Sequence, residues 1–560
     1  ATAIYGSRGA NGVVLITTKR GKAGETRLSL DSYYGVTTVA RKYDMYNAEE
    51  YAAMRDASAY PNGYLAPEVE GMAIGRNTDW QDLMYEDGYI TNHNLNISGG
   101  SEKSQFSIGG GYYKETTILP GQDFERFSIR VTLDTKVGER LRIGINSLNS
   151  LNFNNGSQFV NQQPDTPGAY GGSVMYNILS TSPLMPAFTP DGEIYKYPAG
   201  NTDDANNQNP LFLKNNRNDW VDKVRRMRSF NSLYAEYQII DGLKYRFNLG
   251  LDFTQNNSGQ FRGADSYFRS AASNQARVRN AEQLSWVAEN IVTYEKTFAE
   301  KHRVTFTGLF SAQELTSWNT QVSNDSITAD AVEFYNLGLS NHNRYMAAEG
   351  GEATWGLLSI MARINYAFGD KYLLTATWRR DGSSRLAAGN KWFDYPAIAL
   401  GWNITNEAFM QGINAISNLK LRVGYGVTAN QSVPPYTTLG GVNNSYQNVP
   451  IRYNYGSNKV LGFLPTVIPD ENLHWEPTNN LNVGLDFGIL ADRITGSVEW
   501  YKSTTTDVLF PVQMPITSGY PNASQTNLGK MENKGFEVGV SATILKLANG
   551  FSWNTDVNWY

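Results

Sequence analysis

Residues 243 to 253 of the sequence read Leu243-Lys244-Tyr245-Arg246-Phe247-Asn248-Leu249-Gly250-Leu251-Asp252-Phe253. Apolar residues occupy every odd position, and polar residues or glycine occupy every even position. Because successive side chains of a β-strand point to opposite faces, this segment predicts a strand with one apolar and one wet face. A one-residue slip would turn Lys244 and Arg246 into the apolar phase, and in lipid each would cost ~2–4 kcal/mol near the midplane.

The same two-residue period recurs along the whole chain. It predicts about seventeen strands, most of them near the ~9–11 residues that a tilted transmembrane strand needs. Further examples are Arg126–Lys136, Ile360–Phe368, Leu419–Val427, Asn480–Phe487 and Phe551–Trp559. A soluble β-sandwich or propeller would also alternate, but its strands are usually ~5–6 residues long, and no blade-sized repeat recurs. The period therefore favours an all-β fold, a transmembrane antiparallel β-barrel.

Connections between the predicted strands alternate between short and long. Short polar turns are predicted at Ser101–Ser104, Lys136–Glu139, Ile240–Gly242, Gly369–Lys371 and Gly488–Arg493. Long segments are predicted at Thr38–Asn92, Ser150–Met227, Thr254–Gln283, Glu314–Gly356, Thr428–Asn479 and Lys502–Lys534. In the first of these, Asn47 and Glu50 are spaced as a capping box, which predicts a short helix through Met54. The alternation is typical of outer-membrane barrels, which have short periplasmic turns and long extracellular loops.

Aromatic residues tend to lie near the ends of the predicted strands. Examples are Tyr33, Tyr34, Tyr112, Tyr113, Trp378, Trp402, Trp500, Tyr501, Trp559 and Tyr560. Amphipathic rings form belts at both membrane interfaces, so this placement favours a membrane barrel. The alternative is the ordinary preference of Tyr and Trp for any sheet.

Composition argues against several function classes. The 560 residues include no Cys, which excludes disulfides, thiolate metal sites and a Cys nucleophile. The net charge of −5 is too weak to indicate a nucleic-acid partner. The four His residues form no H-x-x-x-H pair, Asp203 and Asp204 lack the spacing of a calcium loop, and no pair of carboxylates can be nominated for glycosidase chemistry. We predict no catalytic residue, no metal and no cofactor, and hence no enzyme.

The first residues of the chain carry a specific motif. They read Ala3-Ile4-Tyr5-Gly6-Ser7-Arg8-Gly9-Ala10-Asn11-Gly12-Val13-Val14-Leu15-Ile16-Thr17-Thr18-Lys19-Arg20-Gly21. The glycine spacing fits neither the dinucleotide-binding G-x-G-x-x-G loop nor the Walker phosphate-binding loop. The pattern instead predicts a turn that enters a short buried strand. This segment closely resembles the end of the plug domain in SusC/RagA-type TonB-dependent transporters of Bacteroidota outer membranes. More motifs match in order: Asn94–Lys103, Asp370–Thr377, Arg379–Arg385, Gly389–Trp392, Leu419–Gly426, Asn482–Gly488 and Glu532–Glu537.

The resemblance implies a barrel of about 22 strands with an amino-terminal plug inside its lumen, and about 17 of these strands would lie in this chain. Residues 1–24 would be the end of the plug domain, and residues 25–560 would be the barrel, incomplete at its carboxyl end. The residues of the plug signature are Tyr5, Gly6, Ser7, Arg8, Gly9, Asn11 and Gly12. We expect its glycines and small residues to let the plug pack closely.

The resemblance also implies a function in the bacterial outer membrane, in contact with the bilayer and lipopolysaccharide. We expect energy-coupled import of an oligosaccharide or oligopeptide. A SusD-like surface lipoprotein would act as a lid, TonB with its proton-driven motor would pull on the plug, and two transporter–lid pairs would form a possible dimer. The alternative is a barrel that has lost transport and acts as a scaffold or assembly partner in a larger outer-membrane complex. A soluble binding module or a glycan-degrading enzyme is a third, disfavoured hypothesis.

Two kinds of residue are candidates for ligand contact. Tyrosines in two long loops offer flat rings that stack on sugars, although they would equally pack the loops together: Tyr170, Tyr176, Tyr195, Tyr197, Tyr436, Tyr446, Tyr453 and Tyr455. The segment Arg379–Arg385 has the charge of an anion site. A strand that leads into a charged outer loop is the favoured interpretation of this segment.

Overall fold

Long antiparallel strands account for most of the fold. The computed structural model describes residues 2–10, 12–15, 21, 23–58, 63–156, 174–196, 209–215, 220–264, 273–341, 347–446, 449–520, 522–547 and 550–560. A 17-stranded sheet is formed by β1 Gly24–Thr37, β2 Gly88–Gly100, β3 Ser104–Thr116, β4 Asp123–Val137, β5 Leu141–Asn155, β6 Trp220–Ile240, β7 Leu243–Arg262, β8 Gln275–Phe298, β9 His302–Asp325, β10 Ala347–Phe368, β11 Tyr372–Ser383, β12 Trp392–Asn403, β13 Ile416–Asn430, β20 Glu476–Ile489, β21 Ile494–Thr506, β24 Lys530–Lys546 and β25 Ser552–Trp559. This architecture confirms the predicted all-β fold and the number of strands.

Four short antiparallel strand pairs lie within the described parts of the loops. They are β14 Gly441–Asn443 with β19 Leu464–Val467, β15 Ser445–Tyr446 with β16 Val449–Pro450, β17 Arg452–Tyr455 with β18 Asn458–Leu461, and β22 Leu509–Val512 with β23 Ser524–Asn527. Each long strand of the large sheet pairs with the next long strand in the sequence, always antiparallel. The two end strands, β1 and β25, pair with β2 and β24 respectively. The large sheet is therefore an up-and-down meander, as the alternating connections predicted.

Several strands are much longer than predicted. Strands β8 and β9 each contain 24 residues, and β7 contains 20 residues instead of ending at Phe253. The expectation of ~9–11 residues is wrong for these strands because ladder hydrogen bonds do not require lipid. Pairing continues beyond the apolar band wherever the neighbouring strand also continues.

The predicted alternation of connections is confirmed. Brief turns occupy residues 101–103, 138–140, 241–242, 299–301, 369–371 and 490–493 on one rim of the sheet, with the somewhat longer 404–415. The chain also passes from β24 to β25 at this rim. At the other rim the strands are connected by sequence segments that are mostly longer, several of them only partly described: 38–87, 117–122, 156–219, 263–274, 326–346, 384–391, 431–475 and 507–529. We call these the short-turn rim and the long-loop rim.

One face of the sheet is apolar and exposed. On β12, for example, the side chains of Ile398 and Leu400 are 47% and 53% exposed. The opposite face carries the polar residues, such as Thr375 and Thr377 on β11. A continuous exposed apolar surface of this kind is stable in lipid and not in water.

Aromatic side chains mark two levels on this apolar face. Tyr372 is opposite Trp402 near the short-turn rim, and Trp392 is opposite Gly382 towards the long-loop rim. The two levels are ten residues apart on β11 (382 − 372 = 10). At ~3.3 Å per residue this is roughly 33 Å along the strand, or about 25 Å after a tilt of ~40°, which is the height of the apolar band of an outer-membrane barrel.

The helices are short and belong to the long-loop rim. They are α1 Ala48–Ala57, α2 Ala66–Ile74, α3 Trp80–Met84, α4 Val174–Ser180 and α5 Leu211–Asn215. Helix α1 begins with the predicted capping box between Asn47 and Glu50. Helices α3, α4 and α5 share a core that includes Trp80, Met84 and Ile178. Within the described residues, no helix is long and apolar enough to span a bilayer.

Turns of 3₁₀ helix complete the secondary structure of the described residues. They are Thr2–Gly9, Asp330–Val332, Leu337–Leu339, Ile404–Asn406, Ala408–Met410, Thr437–Leu439 and Ile516–Ser518. The first of them, Thr2–Gly9, precedes β1 and contacts the polar face of the sheet through β11. That face is therefore the inner one, and the apolar face is the outer one.

Candidate functional site in the barrel lumen

The amino-terminal residues are held against β11 by two hydrogen bonds. The backbone N–H of Ser7 donates to Oδ2 of Asp381 at 3.2 Å. Nη1 of Arg379 donates to the carbonyl oxygen of Ile4 at 2.7 Å. Because Arg379 and Asp381 are two residues apart on one strand, both side chains point into the lumen. We call this arrangement of Ile4, Gly6, Ser7, Arg379 and Asp381 the β11 contact.

The two charged side chains of the β11 contact are almost fully buried. Arg379 is 3% exposed and Asp381 is 0% exposed, and Nε of Arg379 lies 2.7 Å from Oδ1 of Asp381. The third guanidinium nitrogen, Nη2, donates to Oγ of Ser359 at 2.9 Å. Buried ion pairs are tolerated only when their remaining hydrogen-bonding groups also have partners. The backbone of the amino-terminal segment supplies some of these partners, so the pair and the segment stabilise each other.

Gly6 lies where a side chain has no room. Its φ of 58° is in the left-handed region, which glycine adopts at the lowest cost. A Cβ atom at this position would lie 2.2 Å from Oδ2 of Asp381 and 2.3 Å from Nε of Arg379. The glycine therefore permits both the turn and the close approach to the ion pair.

The amino-terminal residues also touch other parts of the wall. Nη2 of Arg8 lies 4.0 Å from Oε1 of Glu289 on β8. Gly21 is buried, and a Cβ atom there would lie 2.3 Å from the carbonyl oxygen of Phe106 on β3. Since β3, β8 and β11 are well separated in the sheet order, the segment crosses the inside of the barrel.

Other residues of the predicted plug signature have less specific surroundings. Gly9 is buried and Tyr5 is 39% exposed. Gly12 has a φ of 99° and open space around its Cβ position, so conformation rather than packing favours glycine there. Asn11 lies outside the described residues. The functional role of the signature stays a prediction.

A cavity of about 590 Å³ adjoins the amino-terminal segment at Ile4. Its polar lining includes Arg363, Lys420, Arg422 and Glu499. Nε and Nη2 of Arg422 donate to the two carboxylate oxygens of Asp486 at 2.8 and 2.7 Å, and Nη2 also donates to Glu499 at 2.6 Å. These ion pairs hold Arg422 and Glu499 on the wall. Residues such as Leu373 and Ala397 make most of the lining of this lumen cavity apolar.

Arg379 and Asp381 were not identified from the sequence. The favoured interpretation of Arg379–Arg385 as a strand entering a charged loop is correct for the strand, which ends at Ser383. It missed that residues 379 and 381 point inward whereas Arg380 points outward, with its guanidinium 5.6 Å from the centre of the Trp392 ring. The sequence contained enough information for this assignment, because the two-residue period of a strand places residues 379 and 381 on one face and Arg380 on the other.

The predicted tyrosines of the 156–219 loop are partly described. Tyr195 packs against the loop core that contains Trp80, and its carbonyl oxygen accepts a hydrogen bond from Nδ2 of Asn209 at 3.0 Å. Tyr176 lies in α4 and is 36% exposed. Tyr170 and Tyr197 lie outside the described residues. These contacts agree with the loop-packing alternative for Tyr195, and ligand binding by this group stays a prediction.

The predicted tyrosines of the 431–475 loop have separate partners. The hydroxyl of Tyr436 accepts a hydrogen bond from the backbone N–H of Thr354 at 3.1 Å. The hydroxyl of Tyr453 donates to the carbonyl oxygen of Phe463 at 2.9 Å. Tyr455 is 79% exposed at the tip of the β17–β18 hairpin, and Tyr446 pairs with Val449 through its backbone. Substrate contact by these rings likewise stays a prediction.

The short-turn rim holds one carboxylate with three donors. Glu407 accepts hydrogen bonds from the hydroxyl of Tyr372 at 2.7 Å, from Nζ of Lys371 at 3.1 Å and from Nε1 of Trp402 at 3.1 Å. These bonds, first that of Tyr372 and then that of Lys371, hold the pKa of the Glu407 carboxyl below its usual range. These bonds join the 404–415 connection to the aromatic level near the short-turn rim.

An antiparallel barrel with an apolar outer face and a chain segment across its lumen defines a class, the plugged outer-membrane receptors. The chain belongs to the TonB-dependent receptor family: the sequence profile described as "TonB dependent receptor-like, beta-barrel" matches residues 186–560. The predicted location in the outer membrane is thereby confirmed.

Individual relatives agree with this assignment. The chain is 32% identical over 568 residues to "TonB-dependent receptor P3" of Formosa agariphila, which covers 100% of this chain and 53% of the relative. It is 29% identical over 603 residues to "TonB-dependent receptor SusC" of Bacteroides thetaiotaomicron, which covers 100% of this chain and 54% of the relative. The chain thus spans about half the length of the curated relatives it matches.

A solved structure shares the fold. The structure described as the "RagAB peptide transporter" superposes with a TM-score of 0.84 at 23% identity, covering 98% of this chain and 62% of that chain. At this identity the match concerns the fold alone. Together with the similarity to SusC, it confirms the SusC/RagA-type resemblance predicted from the sequence.

Proposed function

We propose that the complete protein imports an oligosaccharide or oligopeptide across the outer membrane, with energy supplied through TonB. The observation that carries this proposal is the amino-terminal segment that crosses the lumen and is fixed at the β11 contact. A lumen closed by a plug of its own chain would not allow free diffusion, so passage would require work on that plug. The outer membrane has no ion gradient or ATP, and the inner-membrane motor supplies the energy through TonB.

In this proposal residues 1–24 are the end of a plug domain and residues 25–560 belong to a barrel of about 22 strands. The relative named SusC and the transporter described as RagAB support a SusC-like role. A SusD-like surface lipoprotein would close the long-loop rim, where the helices and loop hairpins lie. A dimer of two transporter–lid pairs is part of the same proposal.

Uptake measurements test the energy coupling. Labelled oligosaccharides and peptides would be supplied to cells that carry the gene, to a deletion strain and to a strain without TonB. We expect uptake of one class to depend on both the gene and TonB, with equal amounts of the protein in the outer membranes of the first and third strains. Uptake that continues unchanged without TonB would refute the proposal.

Purification tests the partnership. The complete protein, extracted from membranes in mild detergent, should be isolated with a surface lipoprotein and with bound glycan or peptide. Recovery with secretion or assembly machinery alone would instead support the scaffold alternative.

A further inference from the structure

Four arginines gather on the inner wall between β4 and β8. They are Arg126 on β4, Arg226 and Arg228 on β6, and Arg279 on β8, and we call them the arginine basin. Pairing across the sheet places Arg126 opposite Asn152 and Asn152 opposite Arg226. Arg226 is in turn opposite Asn256. Side chains opposite one another point to the same face of a sheet, so this row shares one surface.

The basin lies on the lumen side of the wall. Asn256 is eight residues from Asn248 on β7, an even number that keeps both on one face. Asn248 is opposite Glu289, whose carboxylate lies 4.0 Å from Arg8 of the amino-terminal segment. The four arginines are all exposed on this inner surface.

The basin has more positive than negative charge. Arg228 is paired with Asp252 through two hydrogen bonds of 2.9 and 2.7 Å. Nε of Arg226 donates to the amide oxygen of Asn256 at 2.7 Å. Within the described part of the chain, no carboxylate forms an ion pair with Arg126, Arg226 or Arg279. Glu115 of β3 faces the same surface, because it is two residues from Tyr113, which is opposite Arg126. Four arginines against Asp252 and Glu115 leave an excess of two positive charges (4 − 2 = 2).

Amide groups surround these charges. Arg226, Arg228, Asp252 and Arg279 line a cavity of about 390 Å³ together with Asn256 and Asn319. Glu282 also borders this cavity, but its carboxylate accepts a hydrogen bond from Nε2 of Gln255, which lies on the outer face. A concave wall of one charge concentrates counter-ions, and the amides donate to and accept from hydroxyl groups.

The basin lies closer to the long-loop rim than the β11 contact does. Ser311 of β9 is opposite Ser359, which is opposite Asp381, so Ser311 marks the level of the β11 contact. Asn319, which lines the basin cavity, is eight residues further along β9 towards the long-loop rim (319 − 311 = 8). This is roughly 26 Å along the strand. A ligand that enters from the long-loop rim therefore meets the basin before it meets the β11 contact.

We propose that the arginine basin binds the carboxylate or sulfate groups of an anionic oligosaccharide. The inference rests on the proposed import function and narrows its substrate class. Guanidinium groups bind planar or tetrahedral oxyanions through paired hydrogen bonds. The amides between them fit the hydroxyl groups that separate successive charges along a glycan, and these hydroxyls favour a glycan over an acidic peptide.

Binding to the purified full-length protein tests the basin. The probes are an oligogalacturonate, a sulfated oligosaccharide and a neutral maltooligosaccharide of equal length, with an oligoglutamate peptide as the rival. We expect the anionic glycans to bind most tightly, with a dissociation constant that rises with salt concentration. The substitutions Arg226→Gln and Arg279→Gln should each raise that constant about tenfold and leave the neutral probe unaffected.

Arg225 provides the matched control. It neighbours Arg226 in the sequence but lies on the outer face, where Nη2 donates to Asn257 at 3.0 Å. Arg225→Gln should leave binding of the anionic glycans unchanged. Equal losses in Arg225→Gln and Arg226→Gln would overturn the proposal, as would tighter binding of the neutral glycan or of oligoglutamate.

Uptake separates this inference from the proposed function. TonB-dependent uptake of a neutral glycan that is unaffected by Arg226→Gln would overturn the basin and keep the import function. Uptake of every probe without TonB would refute the import function, whereas the binding data on the purified protein would still decide the role of the basin.

Discussion

Two arginine–aspartate pairs on the same inner wall have nearly the same geometry and different surroundings. Arg379 and Asp381 at the β11 contact lie 2.7 Å apart with side chains 3% and 0% exposed. Arg228 and Asp252 in the arginine basin also lie 2.7 Å apart, but their side chains are 52% and 25% exposed. The distance between the charges therefore does not distinguish the two pairs, whereas burial does.

Burial changes what each pair does. A buried charge that loses its partner remains in a medium of low polarity, so the β11 contact acts as a fixed attachment for the amino-terminal segment. An exposed pair exchanges partners with water at little cost, so the guanidinium groups of the basin remain accessible to a ligand. The comparison assigns a structural role to one pair and a binding role to the other.

The largest expected effect is at the buried pair. Asp381→Ala should destabilise the full-length protein by about 3–5 kcal/mol, because Arg379 would stay buried without its carboxylate. Denaturant unfolding in detergent micelles measures this change. The double substitution Arg379→Met with Asp381→Leu is the control and should recover much of the loss, since it removes both charges together. A loss below about 1 kcal/mol for Asp381→Ala would mean that burial does not distinguish the pairs.

A smaller effect is expected when the approach to the buried pair is obstructed. Gly6→Ala should cost about 1–3 kcal/mol, because the new Cβ atom meets Asp381 and the backbone is in the left-handed region. Hydrogen exchange at the amide of Ser7 should become faster. The control is Gly351→Ala on β10, where the added Cβ has no neighbour within 4 Å. Unchanged exchange at Ser7 would contradict the role of Gly6.

The exposed pair should contribute little to stability. Arg228→Gln should change the free energy of unfolding by only about 0.2–1 kcal/mol, as exposed ion pairs do. The same unfolding assay as for Asp381→Ala gives a direct comparison. A loss as large as that of Asp381→Ala would show that the basin is a structural element rather than an accessible surface.

The smallest expected effect is the pH dependence of stability at Glu407, which lies outside both the β11 contact and the arginine basin. The hydrogen bonds to Glu407 lower its pKa in the folded state, so its contribution to stability is complete above the ordinary value of about 4.3. The contribution is lost as the pH falls through the lower folded-state pKa. The thermal midpoint of the wild type should decline more over that acidic range than that of Glu407→Gln. Parallel pH curves for the two proteins would contradict this assignment.

Local sequence patterns were sufficient for much of the fold. The segment Leu243–Phe253 predicted a strand, and the structure places a strand there, because side-chain alternation is a local property of the backbone. The capping box of Asn47 and Glu50 is equally local and is present at the start of α1. Strand length was less predictable. Strands β8 and β9 both continue to 24 residues because each supplies the backbone hydrogen-bond partners of the other along its whole length.

The candidate sites depend on contacts between residues that are distant in the sequence. Ser7 and Asp381 are separated by 374 residues, and Arg126 and Arg226 share a surface only because β5 pairs with both β4 and β6. The strand period in the sequence determined which side chains face lipid and which face the lumen. Only the tertiary structure decided which inner arginines are buried against the amino-terminal segment and which remain exposed, because burial depends on every element that packs around a charge.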